Sequence, residues 1–168
     1  MCLCVIFLDI DGVLNKGLVV SASPPEDVIK LPHGWMNRSL VDNLNRLTSE
    51  TSARLVISSS WRRDNFEDTK LAIKKFGVDG DIIGQTPELG RYTVRGNEVR
   101  AWIENNIDLL GVNSYRDFKR YIILDDSEDM LLSQAFHYVK TDSYAGLSEA
   151  ALVEASRKLK TLTNSIGI

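Results

Sequence analysis

Two acidic pairs are the first residues in this chain whose type and spacing suggest chemistry. Asp9 and Asp11, in Phe7-Leu8-Asp9-Ile10-Asp11-Gly12-Val13-Leu14-Asn15, close the first apolar run, and Asp125-Asp126 close another such run near the far end. Carboxylates at two strand ends suit a hard ion such as Mg²⁺, which keeps several waters and takes one or two protein carboxylates together with a substrate phosphate. Asp9, Asp11, Asp125 and Asp126 are therefore the candidate metal ligands, and Asp9 with Asp125 or Asp126 would suffice. A carboxylate can also attack phosphorus and form an aspartyl-phosphate while its neighbour handles a proton. Asp9 and Asp11 are two apart, so a backbone extended through Asp11 would project both side chains to one side, and a turn at Gly12 would let backbone amides approach an anion. Each pair also has a plainer reading. Asp-Gly is an ordinary turn signal, and Asp125-Asp126 ahead of Ser127 could simply cap the next turn.

Such carboxylates need a rigid frame. Leu3 to Leu8 and Tyr121 to Leu124 are continuous apolar runs that fit strands buried on both faces of a parallel sheet. In open α/β sheets, ligands bind at the carboxyl ends of the strands, where these aspartates fall. The sequence predicts a loop with Pro24, Pro25, Pro32 and Gly34, then a helix from about Ser39 to Glu50 capped by Asn37 or Ser39. Strand Arg54 to Ile57 follows, ending in Ser58-Ser59-Ser60-Trp61-Arg62-Arg63. A helix from Asp64 to Phe76 is predicted from an Asp64/Glu67 capping box and a C-terminal Gly77. Next come a weak strand at Asp81 to Gly84, a helix opening near Asn97 with Val99, Trp102 and Ile103 inward, and, after Tyr121 to Leu124, a turn or short helix through Leu132. An edge strand at His137 to Lys140 precedes a last helix capped by Ser148, with Leu152, Ala155, Leu159 and Leu162 inward. Alternating strands and helices argue an α/β fold: a doubly wound, Rossmann-like parallel sheet in three α/β/α layers.

At 168 residues and 43% hydrophobic, the chain is long enough for one domain spanning residues 1–168. No apolar stretch approaches a membrane span and no signal peptide is evident, which predicts a soluble, cytoplasmic protein with Cys2 and Cys4 as reduced, buried thiols. A formal charge of −3 gives no general pull toward nucleic acid or anionic lipid. Arginines at Arg62-Arg63 and at Arg91, Arg95 and Arg100 could still serve a phosphate locally.

Together with the serine run, these segments resemble the haloacid dehalogenase (HAD) superfamily of phosphohydrolases over almost the whole chain. The resemblance implies Asp9 as nucleophile and Asp11 as general acid, then general base. It places a phosphoryl-binding hydroxyl in Ser58-Ser59-Ser60, with Ser59 favoured ahead of Ser58. It implies a basic residue at Arg95, with Arg91 as the alternative, and metal-binding acids at Asp125 and Asp126, with Asp129 as an outer partner. Arginine stands where many relatives have lysine, which keeps the charge but changes reach and geometry. A closer likeness is to the small HAD domains of RNA-repair-like proteins, carried by Ser58-Ser59-Ser60-Trp61-Arg62, by Arg95-Gly96-Asn97-Glu98 and by Gly146-Leu147-Ser148.

HAD enzymes usually carry a cap domain in one of two intervals. Here Asn15 to Arg38 reads as a proline-broken loop, and Arg63 to Tyr92 is consumed by a helix and a strand. The resemblance then implies a capless member acting on a phosphorylated macromolecule, either a phosphoprotein, such as one bearing phosphotyrosine, or a nucleic-acid end. Trp61 could stack on a tyrosyl ring or base, or pack beneath the next helix. Arg62 could clamp phosphate or pair with Asp64 or Glu67. Asn15 braces the first loop, and His33 and His137 read as ordinary hydrogen-bonding residues. Rival readings are a phospho-accepting receiver, a non-catalytic phosphopeptide-binding domain and a small-metabolite phosphatase.

Overall fold

Five short apolar segments form the centre of the molecule. The computed structural model describes residues 3–16, 25–32 and 34–164. Strands β1 (Val5–Leu8), β4 (Arg54–Ile57), β5 (Ile82–Gln85), β6 (Tyr121–Asp125) and β7 (Tyr138–Lys140) pair in parallel in the order β5-β4-β1-β6-β7. All four residues of β1 and all five of β6 are buried, which is why their sequences show no polar alternation.

Side chains along β1 divide between two cores, as the pleat requires. Ile6 and Leu8 join Leu44 and Leu47 of α1 (Arg38–Thr51) and Leu152, Ala155 and Leu159 of α5 (Glu149–Asn164) on one face. Val5 and Phe7 face the other way, against Val99, Trp102 and Ile103 of α3 (Arg95–Asn105). Phe7 sits at the middle of that second core, with its ring edge-on to Trp102 and to Tyr121 at 5.4 and 5.7 Å. Helix α2 (Phe66–Lys74) adds Ile73 to the first core, and α4 (Ile107–Leu110) adds Leu110 to the second. The result is the doubly wound α/β sandwich expected from the sequence. Leu44 is fully buried, so Leu44→Ala is expected to cost about 2–5 kcal/mol, read as a lower urea midpoint with an unchanged slope.

Several local expectations need correction. The segment before α1 is more than a loop: β2 (Val28–Leu31) and β3 (Gly34–Asn37) form an antiparallel ribbon, which four-residue, half-polar strands do not announce. The amide of Ser39 in α1 is satisfied by neither predicted cap. Asp27, just before β2, reaches across to accept from the Ser39 amide at 2.8 Å and from the Asn37 side chain at 2.8 Å. Helix α2 starts two residues later than expected, because Asn65 caps it by accepting from the Glu67 amide at 2.9 Å and Asp64 does not. Gly77 does take a left-handed φ of +91°, just beyond that helix. Helix α3 opens at Arg95 rather than near Asn97, since Asp129 accepts from the Arg95 amide and so caps it from another loop.

Cys4 is a free buried thiol whose pKa burial pushes up to about 11, whereas Cys2 lies outside the described residues. Among the described residues, no helix is long and apolar enough to cross a membrane.

Candidate active site

Strand register assembles the site. Leu8 pairs with Ile57 on one side and with Leu124 on the other, so the next residues, Asp9, Ser58 and Asp125, emerge together at the carboxyl rim of the three central strands. The Asp9 amide donates to Leu124 O at 2.9 Å and the Ser58 amide to Leu8 O at 2.8 Å, which carries the pairing one step past β1.

The carboxylates of Asp9, Asp125 and Asp126 meet there, offering oxygens that all lie within 4.8 Å of one another. Burial pushes the Asp9 carboxyl up to about 7; the charge of Asp125 adds to that, and Arg95, the Ser59 hydroxyl and the Ile10 amide oppose it. Asp125 is raised as well, again chiefly by burial, against hydrogen bonds from Ser127 and the charge of Arg95. Its Oδ1 accepts from the Ser127 amide at 2.9 Å and from the Ser127 hydroxyl at 2.6 Å, the turn-capping role of the plainer reading. Its Oδ2 is buried with no hydrogen-bond partner, and the nearest cation, Arg95 Nε, is 3.8 Å away. Asp126 is oriented by the Ser143 hydroxyl, which donates to Oδ2 at 2.6 Å. Crowded oxygen ligands with one orphaned lone-pair donor fit a hard divalent cation such as Mg²⁺. Asp9, Asp125 and Asp126 would hold it.

Asp11 does not join them, contrary to the four-carboxylate set expected. The chain leaves the extended conformation after Leu8, and Ile10 O accepts from the amides of Val13 and Leu14 at 3.2 and 2.8 Å. That turn sends the two side chains apart: Asp9 is 6% exposed, whereas Asp11 sits in the open. Its Oδ1 accepts from Asn15 Nδ2 at 2.8 Å and its Oδ2 from Trp61 Nε1 at 3.0 Å. Asn15 thus braces the first loop, and it also accepts from the Gly12 amide at 3.0 Å. This occupies the Gly12 N–H that was expected to approach an anion. Glycine is required at position 12 for another reason: φ is +71°, and a Cβ would lie 2.1 Å from Asp126 Oδ2.

Ser59 is fully buried. It hydrogen-bonds Asp9 and accepts from the Trp61 amide at 3.3 Å. The Ser58 hydroxyl is buried without a hydrogen-bond partner, while its carbonyl accepts from the Arg95 guanidinium. A cleft of about 260 Å³ opens beside them, lined by Ser59, Arg62, Arg91, Arg95 and Glu98 among others. Ser59 and Arg95 therefore meet next to the acidic group. Arg91 lies on the same cleft, and Arg100 does not line it, being paired with Glu104 at 2.7 Å. The Ser127 hydroxyl also lies 2.7 Å from Asp129 Oδ1, so its one proton is shared between the two carboxylates and Asp129 is an outer partner of Asp125.

Arg62 pairs with neither Asp64 nor Glu67. Its Nη1 bonds Glu98 Oε2 at 2.9 Å, Thr86 O at 3.2 Å and Pro87 O at 3.3 Å, and the ion pair is nearly closed to water, with side chains 13% and 8% exposed. Glu98 in turn accepts from the Leu89 amide at 3.3 Å. The arginine of the serine segment thus fastens the loop after β5 to α3. Glu98 could have been suspected from its place in Arg95-Gly96-Asn97-Glu98, but no spacing rule links it to a residue so far back in the chain.

Gly146-Leu147-Ser148 also finds its reason here. The Leu147 amide donates to Val13 O at 2.8 Å, and a Cβ on Gly146 would fall 2.8 Å from that same oxygen, so the segment seals the first loop from behind. His137 donates from Nδ1 to Tyr121 O at 2.9 Å and stacks on the Tyr121 ring, an ordinary core role; His33 lies outside the described residues.

Residues 5–152 match the family described as the HAD domain in Swiss Army Knife RNA repair proteins. The chain belongs to that family. It is thereby a HAD-type phosphatase domain, with the match running from β1 into α5. No curated protein matches its sequence. Among solved structures, the HAD domain is similar to 3-deoxy-D-manno-octulosonate 8-phosphate phosphatase from Moraxella catarrhalis, solved with magnesium, phosphate and KDO. That similarity has 14% identity and a TM-score of 0.41, covering 97% of this chain and 92% of the other, and it is too distant to bear on substrate or mechanism.

Proposed function

We propose that this HAD-type phosphatase is a Mg²⁺-dependent phosphomonoesterase acting through an aspartyl-phosphate on Asp9. The observation that carries the reading is the buried Asp9 carboxylate, grouped with Asp125 and Asp126 and hydrogen-bonded by Ser59 beside Arg95. Bound Mg²⁺ would offset the crowded negative charge and draw a phosphoryl group onto this rim. Asp9 attacks phosphorus, and Asp11, on the open side, gives its proton to the leaving oxygen and then activates the hydrolytic water. Ser59 and Arg95 hold the phosphoryl oxygens, each charge-assisted hydrogen bond contributing about 1.5–3 kcal/mol.

The substrate we propose is macromolecular. Among the described residues, the interval between Asn15 and Arg38 contributes only the β2–β3 ribbon and a short 3₁₀ turn, Pro25–Asp27, and none of these forms a cap over the rim, which supports a bulky ester as substrate. The RNA repair setting named for the family favours a phosphorylated polynucleotide end. The formal charge of −3 keeps a phosphoprotein as the second reading, since it supplies no broad basic face for a nucleic acid.

The test is a Mg²⁺-dependent screen of 3′- and 5′-phosphorylated oligonucleotides, phosphotyrosyl peptides and small sugar phosphates. Phosphate release that needs Mg²⁺ and favours an oligonucleotide end is expected. A preference for sugar phosphates would overturn the macromolecular substrate. A phosphorylated protein that persists for hours without releasing phosphate would favour the receiver reading, and binding without turnover the phosphopeptide-binding one.

A further inference from the structure

The residue after the serine run has a role that the proposed function leaves unassigned. Trp61 makes two contacts with the catalytic groups. Its backbone amide donates to the Ser59 hydroxyl at 3.3 Å, and its indole Nε1–H donates to Asp11 Oδ2 at 3.0 Å. The ring itself is locked on two sides. Phe76 meets it edge-on at 5.7 Å and 64°, and Gly34 of the β2–β3 ribbon lies bare beneath it, where a Cβ would come within 2.4 Å of Trp61 Cη2.

We infer that Trp61 is a positioning residue for Asp11. The carboxyl it holds is exposed, and an exposed aspartate samples several rotamers unless something anchors it. Asn15 and Trp61 each take one of its oxygens, occupying two of about four lone-pair positions on a carboxyl that is itself exposed. The indole is a strong choice for the second anchor because it only donates, so it cannot take up the transferred proton.

The inference rests on the proposed role of Asp11. As the bond from Asp9 to phosphorus forms and the ester P–O bond breaks, the bonding electron pair stays on the leaving oxygen. That oxygen takes the proton of the Asp11 carboxyl, leaving phospho-Asp9, the free alcohol or phenol and the Asp11 carboxylate. A misdirected Asp11 therefore harms esters in proportion to how much their leaving oxygen needs that proton.

The experiment compares Trp61→Phe and Gly34→Ala with wild type on two esters of nearly equal size. Phenyl phosphate releases a phenol with a pKa near that of tyrosine, about 10. 4-Nitrophenyl phosphate releases a far weaker base that departs without help. Since kcat/KM reports only the steps through phosphoenzyme formation, Trp61→Phe is expected to lose roughly 10- to 100-fold on phenyl phosphate, within the range of general acid catalysis, with little change on the nitrophenyl ester. Gly34→Ala, which pushes the indole aside without removing it, should show the same selectivity. Equal losses on both esters, or no loss on either, would overturn the positioning role. In parallel, Asp11→Ala should move the indole N–H resonance of Trp61 and leave those of Trp35 and Trp102 in place; an unmoved Trp61 resonance would refute the contact. A wild-type protein inactive on both esters with Mg²⁺ would instead defeat the function on which the inference stands.

Discussion

Asp9→Asn is expected to abolish Mg²⁺-dependent hydrolysis of 4-nitrophenyl phosphate, by about 10⁴- to 10⁶-fold as for other lost nucleophiles, and at the same time to raise the melting temperature of the metal-free protein. The two effects share one cause. The Asp9 carboxyl is pushed up to about 7 from 3.8, chiefly by burial and then by the charge of Asp125. The folded, metal-free protein therefore favours the neutral acid. Its stabilising contribution is complete below the ordinary carboxylate value and is lost as pH rises through about 7. An amide has no charge to bury, so the variant should melt above wild type at about pH 8 in the presence of EDTA, and the gap should narrow as the pH is lowered. For a chain of this size each kcal/mol recovered corresponds to about 2–4 °C. Added Mg²⁺ should raise the wild type more than the variant, which lacks one ligand. Full activity in Asp9→Asn would remove it as nucleophile, and a lower melting temperature would contradict the electrostatic account.

Gly12→Ala should act on the opposite side of the same group of carboxylates. An L residue held at φ +71° costs about 1–2 kcal/mol from backbone sterics alone. The new methyl would also lie 2.1 Å from Asp126 Oδ2, so Asp126 must swing away and give up the hydrogen bond from Ser143. Displacing one of the three carboxylates is expected to weaken Mg²⁺ binding by about 10- to 100-fold, measured by calorimetry and by the metal-dependent rise in melting temperature. Ser143→Ala removes only the orienting hydroxyl and should show a smaller loss. Unchanged Mg²⁺ affinity in Gly12→Ala would exclude Asp126 as a ligand.

The central strands were legible because continuous runs such as Val5–Leu8 and Tyr121–Asp125 leave few alternatives, and because their polar terminal residues mark the rim. Asp9, Asp125 and Asp126 could be named from type and place and Ser59 and Arg95 from the family resemblance; register gathers the strand-end residues, and Arg95 joins them from the start of α3. Direction was harder to read. Period-two reasoning put Asp11 beside Asp9, but the turn closed by Ile10 O begins one residue too early for it to apply. Partners distant in the chain were invisible: Asp27 for Ser39, Asp129 for the Arg95 amide, and Glu98 for Arg62. Asp27 and Glu98 replace the nearby caps and acids that local spacing favoured, and Asp129 moves the start of α3 to Arg95, because a side chain crossing between elements obeys no sequence interval. The β2–β3 ribbon was missed for a related reason, since its half-exposed residues carry little apolar signal.

The strand order β5-β4-β1-β6-β7 interleaves early and late segments, with the first strand in the middle and its neighbours drawn from both halves of the chain. Asp125 and Asp126 are adjacent, but Asp9 reaches them only across the sheet, so no short peptide holds all three carboxylates. Asp9 follows β1 and Asp125 ends β6, so the three-carboxylate group is complete only once β6 has docked beside β1. Such distant pairings also imply slow folding, with the central strand unpartnered on one edge in the interim.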